Sequence, residues 1–290
     1  MSNIRIITDS NSGILQSEAE GLGIVVLPMP FTINGEEYLE EISISQEEFY
    51  QHLANNADVK TSQPSQYMLE ELWEKELEIY DEIVYIPMSS GLSKTCDNAK
   101  RYAEKYNGRV VVVDNHRISV TLKTSIFEAI EYKNNGMAAN EIKEKLEADA
   151  YKSSIYIVMG VLKYLKKGGR IKPAAATIGD MLKLKPVLSS NGDTFDKFTI
   201  AMSLSQAKKR MIAQVKSEFE GVFAEEYNNG KMSISVAHTQ NEDEAIKFKE
   251  EILKVFPNVK FNFIDPLSLS VSCHIGPGAL AVVTCVDNRK

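Results

Sequence analysis

The chain has 290 residues, 43% of them hydrophobic and 25% charged, with a formal net charge of −7. That length accommodates two domains, each with its own core, and the composition excludes wholesale disorder. The acidic balance argues against nonspecific nucleic-acid binding as the main role, because phosphates need a field of the opposite sign.

In chain order, short β-rich runs alternate with helical periods. IRIIT (4–8) reads as a buried strand ending at Asp9 and Ser10, and IVVLPMPFTI (24–33) as a further extended run before a hairpin turn at NGEE (34–37). Helical spacing follows over 45–54 and over 64–80, with Pro64 in the first turn. A strand over 82–88, a helix over 93–106, a strand over 109–114 and helices over 117–135 and 139–150 complete the first part. This βαβα order predicts a parallel sheet with helices on both faces, an N-terminal three-layer α/β/α domain over residues 1–152.

The remainder, 153–290, is patterned differently. A strand over 154–160 leads to a helix carrying YLKKGGRIKP, and a hairpin is expected around NGD (191–193). Helices near 204–226 and 241–254 alternate with strands over 231–237 and 259–264, and LAVVTCV (280–286) is the last strand. A C-terminal α+β domain with a mixed sheet is predicted. No Pro/Gly/Ser-rich linker and no internal repeat separates the two.

In parallel sheets, ligands bind beyond the carboxyl ends of the strands. Three polar clusters fall there: Asp9 and Ser10 after the first strand, residues 89–95 after the third predicted strand, and residues 114–119 after the fourth. They are distant in sequence and are predicted to converge on one rim.

Several chemistries lack their usual signatures. No GxSxG elbow accompanies the serines, and neither a Walker-type loop nor GxGxxG occurs. The four histidines are scattered without HxH or HxxxH spacing, so no metal site is predicted. Three cysteines without CxxC spacing fit reduced thiols. The N-terminus lacks the pattern of a signal peptide, and no run reaches the ~18 apolar residues of a membrane helix; no transmembrane segment and a cytoplasmic location are expected. KKGGRIKP (166–173) reads as a basic nest for an anion or as a helix C-cap with solvated lysines. HIGPG (274–278) places His274 before a turn whose glycines, Gly276 among them, permit close backbone approach; a helix-like start, ALA, follows.

Taken together, ITDSNSGI, KTSQPS, SSGLSKT, VVDNHRIS, YLKKGGRI, KLKPVL and HIGPGAL stand in the order and spacing of the DegV family, and the chain resembles that family over nearly its whole length. The resemblance implies a two-domain α/β protein that binds one long-chain fatty acid between its domains. It implies a carrier without catalysis of its own, needing no cofactor besides the lipid, whose partner is the catalytic subunit of a bacterial fatty acid kinase. Carried over by motif, the carboxylate falls to Thr61, Ser62, Ser93 and His274, with Asp9, Ser10, Ser90, Gly91, Asp114 and Gly276 in supporting loops. Lys166, Lys167 and Arg170 form a local basic patch suited to the kinase or to ATP phosphates. Apolar lining for the acyl chain is expected from 25–31, 125–130 and 174–184.

Two departures from the family pattern stand out. Lys94 replaces a usual glycine, which predicts an ordinary negative φ there and a side chain directed at the head group or at solvent. Asn115, His116 and Arg117 replace a serine, a lysine or threonine, and a variable residue. Two other readings compete with the carrier: a self-sufficient hydrolase or transferase using Ser93 and His274, and a lipid sensor acting through a partner.

Overall fold

The computed structural model describes residues 2–177 and 184–290. They divide into two compact units. One holds the chain through Ala150 together with Ser268–Ser270 and Arg289–Lys290; the other holds Tyr151–Leu267 and Val271–Asn288.

The first unit is built on strands β1 (Ile4–Asp9), β2 (Ile24–Leu27), β3 (Pro30–Ile33), β4 (Glu36–Leu39), β5 (Val59–Thr61), β6 (Glu82–Ile86) and β7 (Val110–Val112). Four of them form a parallel sheet in the order β2-β1-β6-β7. Side chains alternate across a strand, so neighbours in β1 enter different cores. Ile6 packs with Val84, Val111 and the helices Val120–Asn134 and Ala139–Ala148, through Leu122, Ile126, Ile142 and Leu146. Ile7 packs with Tyr85, Val112 and the helices Gln66–Leu77 and Thr95–Ala103, through Leu69, Trp73, Cys96 and Ala99. The three-layer α/β/α arrangement expected of the first half is therefore present.

The predicted run 24–33 is two strands in two sheets. Pro28 has no N–H to give a ladder, and the Met29 N–H goes to Ser10 Oγ at 3.1 Å. The chain thus leaves the parallel sheet and enters a small antiparallel one, β4-β3-β5, that the periodicity did not show. Asn34 and Gly35, both at positive φ, form the expected hairpin turn between β3 and β4. The next helix begins at Gln66 rather than at Pro64, because Ser65 caps it by accepting the Met68 N–H.

The second unit carries β8 (Ser153–Val158), β9 (Lys185–Ser190), β10 (Asp196–Ala201), β11 (Met232–His238), β12 (Lys260–Pro266) and β13 (Leu280–Val286). They form a mixed sheet, β10-β9-β8-β13-β11-β12, in which only β11 and β12 pair in parallel. Ser203 caps the helix Leu204–Glu220, which buries Ala207, Met211, Val215 and Phe219, a stripe of every fourth residue, against this sheet. Phe248 and Ile252 of the helix Glu242–Val255 join the same core. The predicted helix 204–226 breaks at Gly221 and resumes as Ala224–Asn228. After HIGPG the chain enters β13, not a helix; the helix, Leu269–Ile275, precedes the motif and ends in it.

Candidate functional site

The carboxyl rim of the parallel sheet gathers the clusters that the sequence separates. Asp9 ends β1 fully buried. Its Oδ2 accepts the Met88 N–H at 3.0 Å, and its Oδ1 accepts the backbone and side-chain N–H groups of Asn11 at 3.0 and 2.9 Å. Burial pushes its carboxyl up to about 6, against the opposing pull of those hydrogen bonds. Ser119 N–H donates to Asn11 O at 2.8 Å, and Ser89 N–H donates to Arg117 O at 2.9 Å. The loops after β1, β6 and β7 are therefore hydrogen-bonded to one another.

Within the loop after β6, Ser89 is the organiser. Its carbonyl accepts the Leu92 and Ser93 N–H groups, and its hydroxyl accepts the Gly91 N–H at 3.0 Å. Ser93 Oγ accepts the Thr95 N–H at 3.2 Å and shares a hydrogen bond with Thr95 Oγ1 at 2.9 Å, so it closes the start of the helix Thr95–Ala103. Ser90 N–H reaches Asp114 Oδ1 at 3.4 Å. Burial alone would raise the Asp114 carboxyl, but the hydrogen bonds from Ser90 and Lys100 and the nearby positive charge hold it below the usual range. Lys94 has φ −81°, as expected for a non-glycine. Its ammonium pairs with Asp97 at 3.0 Å and its side chain is 73% exposed, so it is a surface charge.

Thr61 ends β5 opposite Phe31, and the following Ser62 is exposed, its N–H donating to Pro30 O at 3.0 Å. Gln63 of the same motif accepts from Asn98 at 2.5 Å, which ties the Thr61–Ser62 segment to the helix that Ser93 starts. Thr61, Ser62 and Ser93 thus belong to segments of one unit joined by hydrogen bonds. All of these groups are neutral donors, suited to an anion that accepts but cannot donate.

His274 belongs to the second unit and lies near the end of the helix Leu269–Ile275. Gly168, the last residue of the helix Lys163–Gly168, abuts its ring. Arg170 donates to Gly168 O at 2.6 Å. Burial, and secondarily the Arg170 charge, press the imidazole down to about 4, so it is neutral at neutral pH. Gly276 has φ +72°, and a Cβ there would meet Tyr164 at 2.3 Å; only glycine fits the turn. Of the basic patch, Lys167 is exposed and Lys166 half-buried, while Lys172 is offset by Asp196 at 2.9 Å. Residues 178–183, most of the lining expected from 174–184, lie outside the described residues. Val26, Ile126 and Ala129, from the other two expected lining segments, are sheet-core residues of the first unit.

The sequence reading missed Glu40. It sits in a run of acids and looks like a solvated face, yet it is 4% exposed and accepts from Ser10 Oγ at 2.7 Å. It also accepts the Leu269 N–H, and Asn11 Oδ1 accepts the Ser270 hydroxyl at 2.5 Å. Among the described residues no group of three or more metal-ligating side chains occurs, and no helix is long and apolar enough to cross a membrane.

A family model described as "Uncharacterised protein, DegV family" matches residues 3–287. DegV domain-containing protein SA1258 of Staphylococcus aureus (strain N315) is 31% identical over 284 residues, covering 96% of this chain and 97% of the relative. Protein DegV of Bacillus subtilis (strain 168) is 28% identical over 287 residues, with 98% and 99% covered. Among solved structures, the fold is similar to that of a fatty-acid-binding DegV family protein from Thermus thermophilus, with TM-score 0.87, 26% identity and 98% and 99% of the two chains covered. It is also similar to DegV, a fatty acid binding protein from Bacillus subtilis, with TM-score 0.83, 27% identity and 99% and 100% covered. With a family model spanning nearly the whole sequence and relatives aligned end to end, the chain belongs to the DegV family.

Proposed function

We propose that this protein binds a single long-chain fatty acid and presents its carboxylate to a partner kinase for acyl-phosphate formation. The observation that carries the reading is the likeness, over 98% of the chain, to a DegV family protein that binds fatty acid. The chemistry of the candidate donors supports it. Hydroxyls of Thr61, Ser62 and Ser93, with the neutral imidazole of His274, hold a carboxylate without the bidentate grip of an arginine. An oxygen so held stays available to attack the γ-phosphate of ATP. Neither a nucleotide-binding loop nor a nucleophile elbow occurs in the sequence, so the phosphoryl donor is assigned to the partner.

The tail supplies most of the affinity. Each buried methylene contributes about 0.8 kcal/mol, so a dozen offer roughly 10 kcal/mol before ordering costs. A charge-assisted hydrogen bond to the head group adds roughly 1.5–3 kcal/mol and sets the register of the chain. The test is organic extraction of the purified protein followed by mass spectrometry. A fatty acid near one per chain is expected. An empty extract, together with no rise in melting temperature on adding palmitate, would overturn the reading.

A further inference from the structure

Thr61, Ser62 and Ser93 stand on two segments of the first unit, and a relay of side chains joins those segments. Asn98 Nδ2, on the helix Thr95–Ala103, donates to Gln63 Oε1 at 2.5 Å. Asn98 Oδ1 accepts from the Arg101 guanidinium at 2.6 Å, one turn further along the same helix. Gln63 directly follows Thr61 and Ser62 and is exposed. Asn98 lies one turn into the helix whose first residue, Thr95, gives its N–H to Ser93 Oγ. The Gln63 carboxamide therefore bridges the segments that carry both sets of hydroxyls.

The direction of the relay is set by chemistry. A guanidinium has donors only, so the Asn98 atom facing it is the carbonyl oxygen. The Asn98 NH2 group then faces Gln63, and the Gln63 atom that meets it is the acceptor. Gln63 commits its oxygen to Asn98 and keeps its NH2 group for another partner; among the described residues nothing accepts from that group. A lone glutamine has no such polarity, because turning the carboxamide over exchanges donor for acceptor. Chains of hydrogen bonds also polarise one another, so the Arg101 charge strengthens the Gln63 N–H as a donor without placing a guanidinium on a ligand. The hydroxyls of Thr61, Ser62 and Ser93 donate or accept as a ligand requires, and by themselves they do not distinguish a carboxylate from an alcohol. A carboxamide locked as a donor does.

We infer that Gln63 is a further head-group donor, and that Arg101 and Asn98 lock it in the orientation that selects an acceptor-only carboxylate over an alcohol. The inference rests on the proposed function, in which Thr61, Ser62 and Ser93 serve the lipid carboxylate. Gln63 touches the head group in this role; Asn98 and Arg101 act through it as positioning residues.

The test compares wild type with Gln63→Met and Asn98→Leu, each loaded in turn with palmitate and with hexadecanol. Both substitutions leave the net charge unchanged, so any long-range attraction for an anion is the same in all three proteins. The readouts are the rates at which the two lipids leave for an acceptor, and the NMR signals of the Gln63 side-chain amide. In Gln63→Met, palmitate is expected to leave about tenfold faster or more, as for one lost charge-assisted hydrogen bond, and hexadecanol within about twofold of wild type. Asn98→Leu keeps Gln63 but frees its carboxamide to turn, so it should shift the ratio of the two rates in the same direction by a smaller factor. Palmitate should move the Gln63 amide signals in wild type. An unchanged ratio in Gln63→Met, with both lipids leaving faster or neither, would overturn the inference, because the relay would then be only a tether. Gln63 amide signals that palmitate leaves in place would also overturn it. If Asn98→Leu does not fold, Asn98→Ala is read by the same ratio. If wild type takes up palmitate but no hexadecanol, the selection is already seen and the palmitate rates decide the role of Gln63. A wild type that takes up neither lipid defeats the proposed function and the inference with it, whereas palmitate uptake with an unaltered rate in Gln63→Met defeats the inference alone.

Discussion

A methyl group added at Gly168 would lie 2.0 Å from Nδ1 of His274 and 2.9 Å from its Cε1. The end of one helix and the imidazole of another are thus in direct contact, with no space for any side chain. Gly168→Ala must displace the ring, at a cost of about 1–3 kcal/mol in stability. The neighbouring Gly169 is a matched control. A Cβ there meets nothing within 4 Å, but its φ of +69° strains an alanine by roughly 1–2 kcal/mol. Both variants should melt earlier than wild type. Only Gly168→Ala should move the His274 NMR signals and weaken palmitate binding, and equal effects from the two would show that the contact has no bearing on the ligand.

Ser93 has two jobs to separate. Its Oγ accepts the Thr95 N–H at 3.2 Å across a two-residue turn leading into the helix, so Ser93→Ala removes a local hydrogen bond worth about 0.5–1.5 kcal/mol. Ser65 caps its helix by accepting the Met68 N–H, also at 3.2 Å, in a helix start that the ligand assignment does not use. The two alanine variants should lose similar stability in urea unfolding. Retention of palmitate should drop about tenfold or more for Ser93→Ala alone, the equivalent of one charge-assisted hydrogen bond. Equal retention in both variants would return Ser93 to a purely structural role.

Stability should fall as pH rises through the range where Asp9 and Glu40 titrate. Burial lifts Asp9 from 3.8 to about 6 and Glu40 from 4.5 to about 7. Between their ordinary values and these raised ones, the folded chain holds protons that the unfolded chain has released. Each group thus favours folding most below its ordinary value, and that contribution, roughly 3 kcal/mol each, is lost once the pH passes the raised value. His274 and His238, both held low by burial, act in the opposite sense as pH falls below about 6.5. The difference between wild type and Glu40→Gln isolates the Glu40 share. Wild type should lose ground to the variant between about pH 4.5 and pH 7, and a pH-independent difference in melting temperature would contradict the buried, proton-holding state of Glu40.

The basic patch is best tested on Lys166 and Lys167. Arg170 donates to Gly168 O at 2.6 Å and bears on His274, so reversing its charge would disturb the imidazole as well as any partner. Lys166→Glu with Lys167→Glu leaves that arrangement intact. With a fatty acid kinase catalytic subunit, the double variant should form acyl phosphate about tenfold more slowly at low salt while binding palmitate normally, because like charge slows encounter. An unchanged rate would remove the patch from the partner interface.

What could be read without coordinates follows the length scale of the interactions. Strand alternation at Ile6 and Ile7, and the Asn34-Gly35 turn, are local, and the sequence shows them. The convergence of Asp9, Ser89 and Asp114 follows from the parallel order alone, since every strand of such a sheet ends on the same rim. The split at Pro28 was hidden because both halves are equally apolar and only the hydroxyl of Ser10 says where the Met29 N–H goes. Glu40 was hidden for the converse reason. Nothing in EEYLEEISIS separates the one buried carboxyl from its solvated neighbours, because its partners stand 30 residues before it and 229 after it. The motif residues were legible through family resemblance, whereas the contact of Gly168 with His274 depends on packing between elements more than a hundred residues apart.

Arg117 makes the same point with a larger energy. Its place in VVDNHRIS looks like a tolerant loop position, yet it is 1% exposed. Its guanidinium lies 3.6 Å from the buried carboxylate of Glu128 and donates to Ser125 Oγ at 3.1 Å and to Asp149 O at 3.3 Å. Its carbonyl accepts the Ser89 N–H, so the same residue anchors the loop that carries Ser93. Arg117→Leu would leave the Glu128 carboxylate buried without this cation, at a cost of about 3–5 kcal/mol. Pairing it with Glu128→Leu removes the stranded charge and should recover much of that loss, since apolar replacement of both members of a buried pair is often close to neutral. Urea midpoints of the two single variants and the double variant give the coupling directly. If the double variant loses as much as the sum of the singles, the pair is not coupled, and the burial of Arg117 serves only its hydrogen bonds.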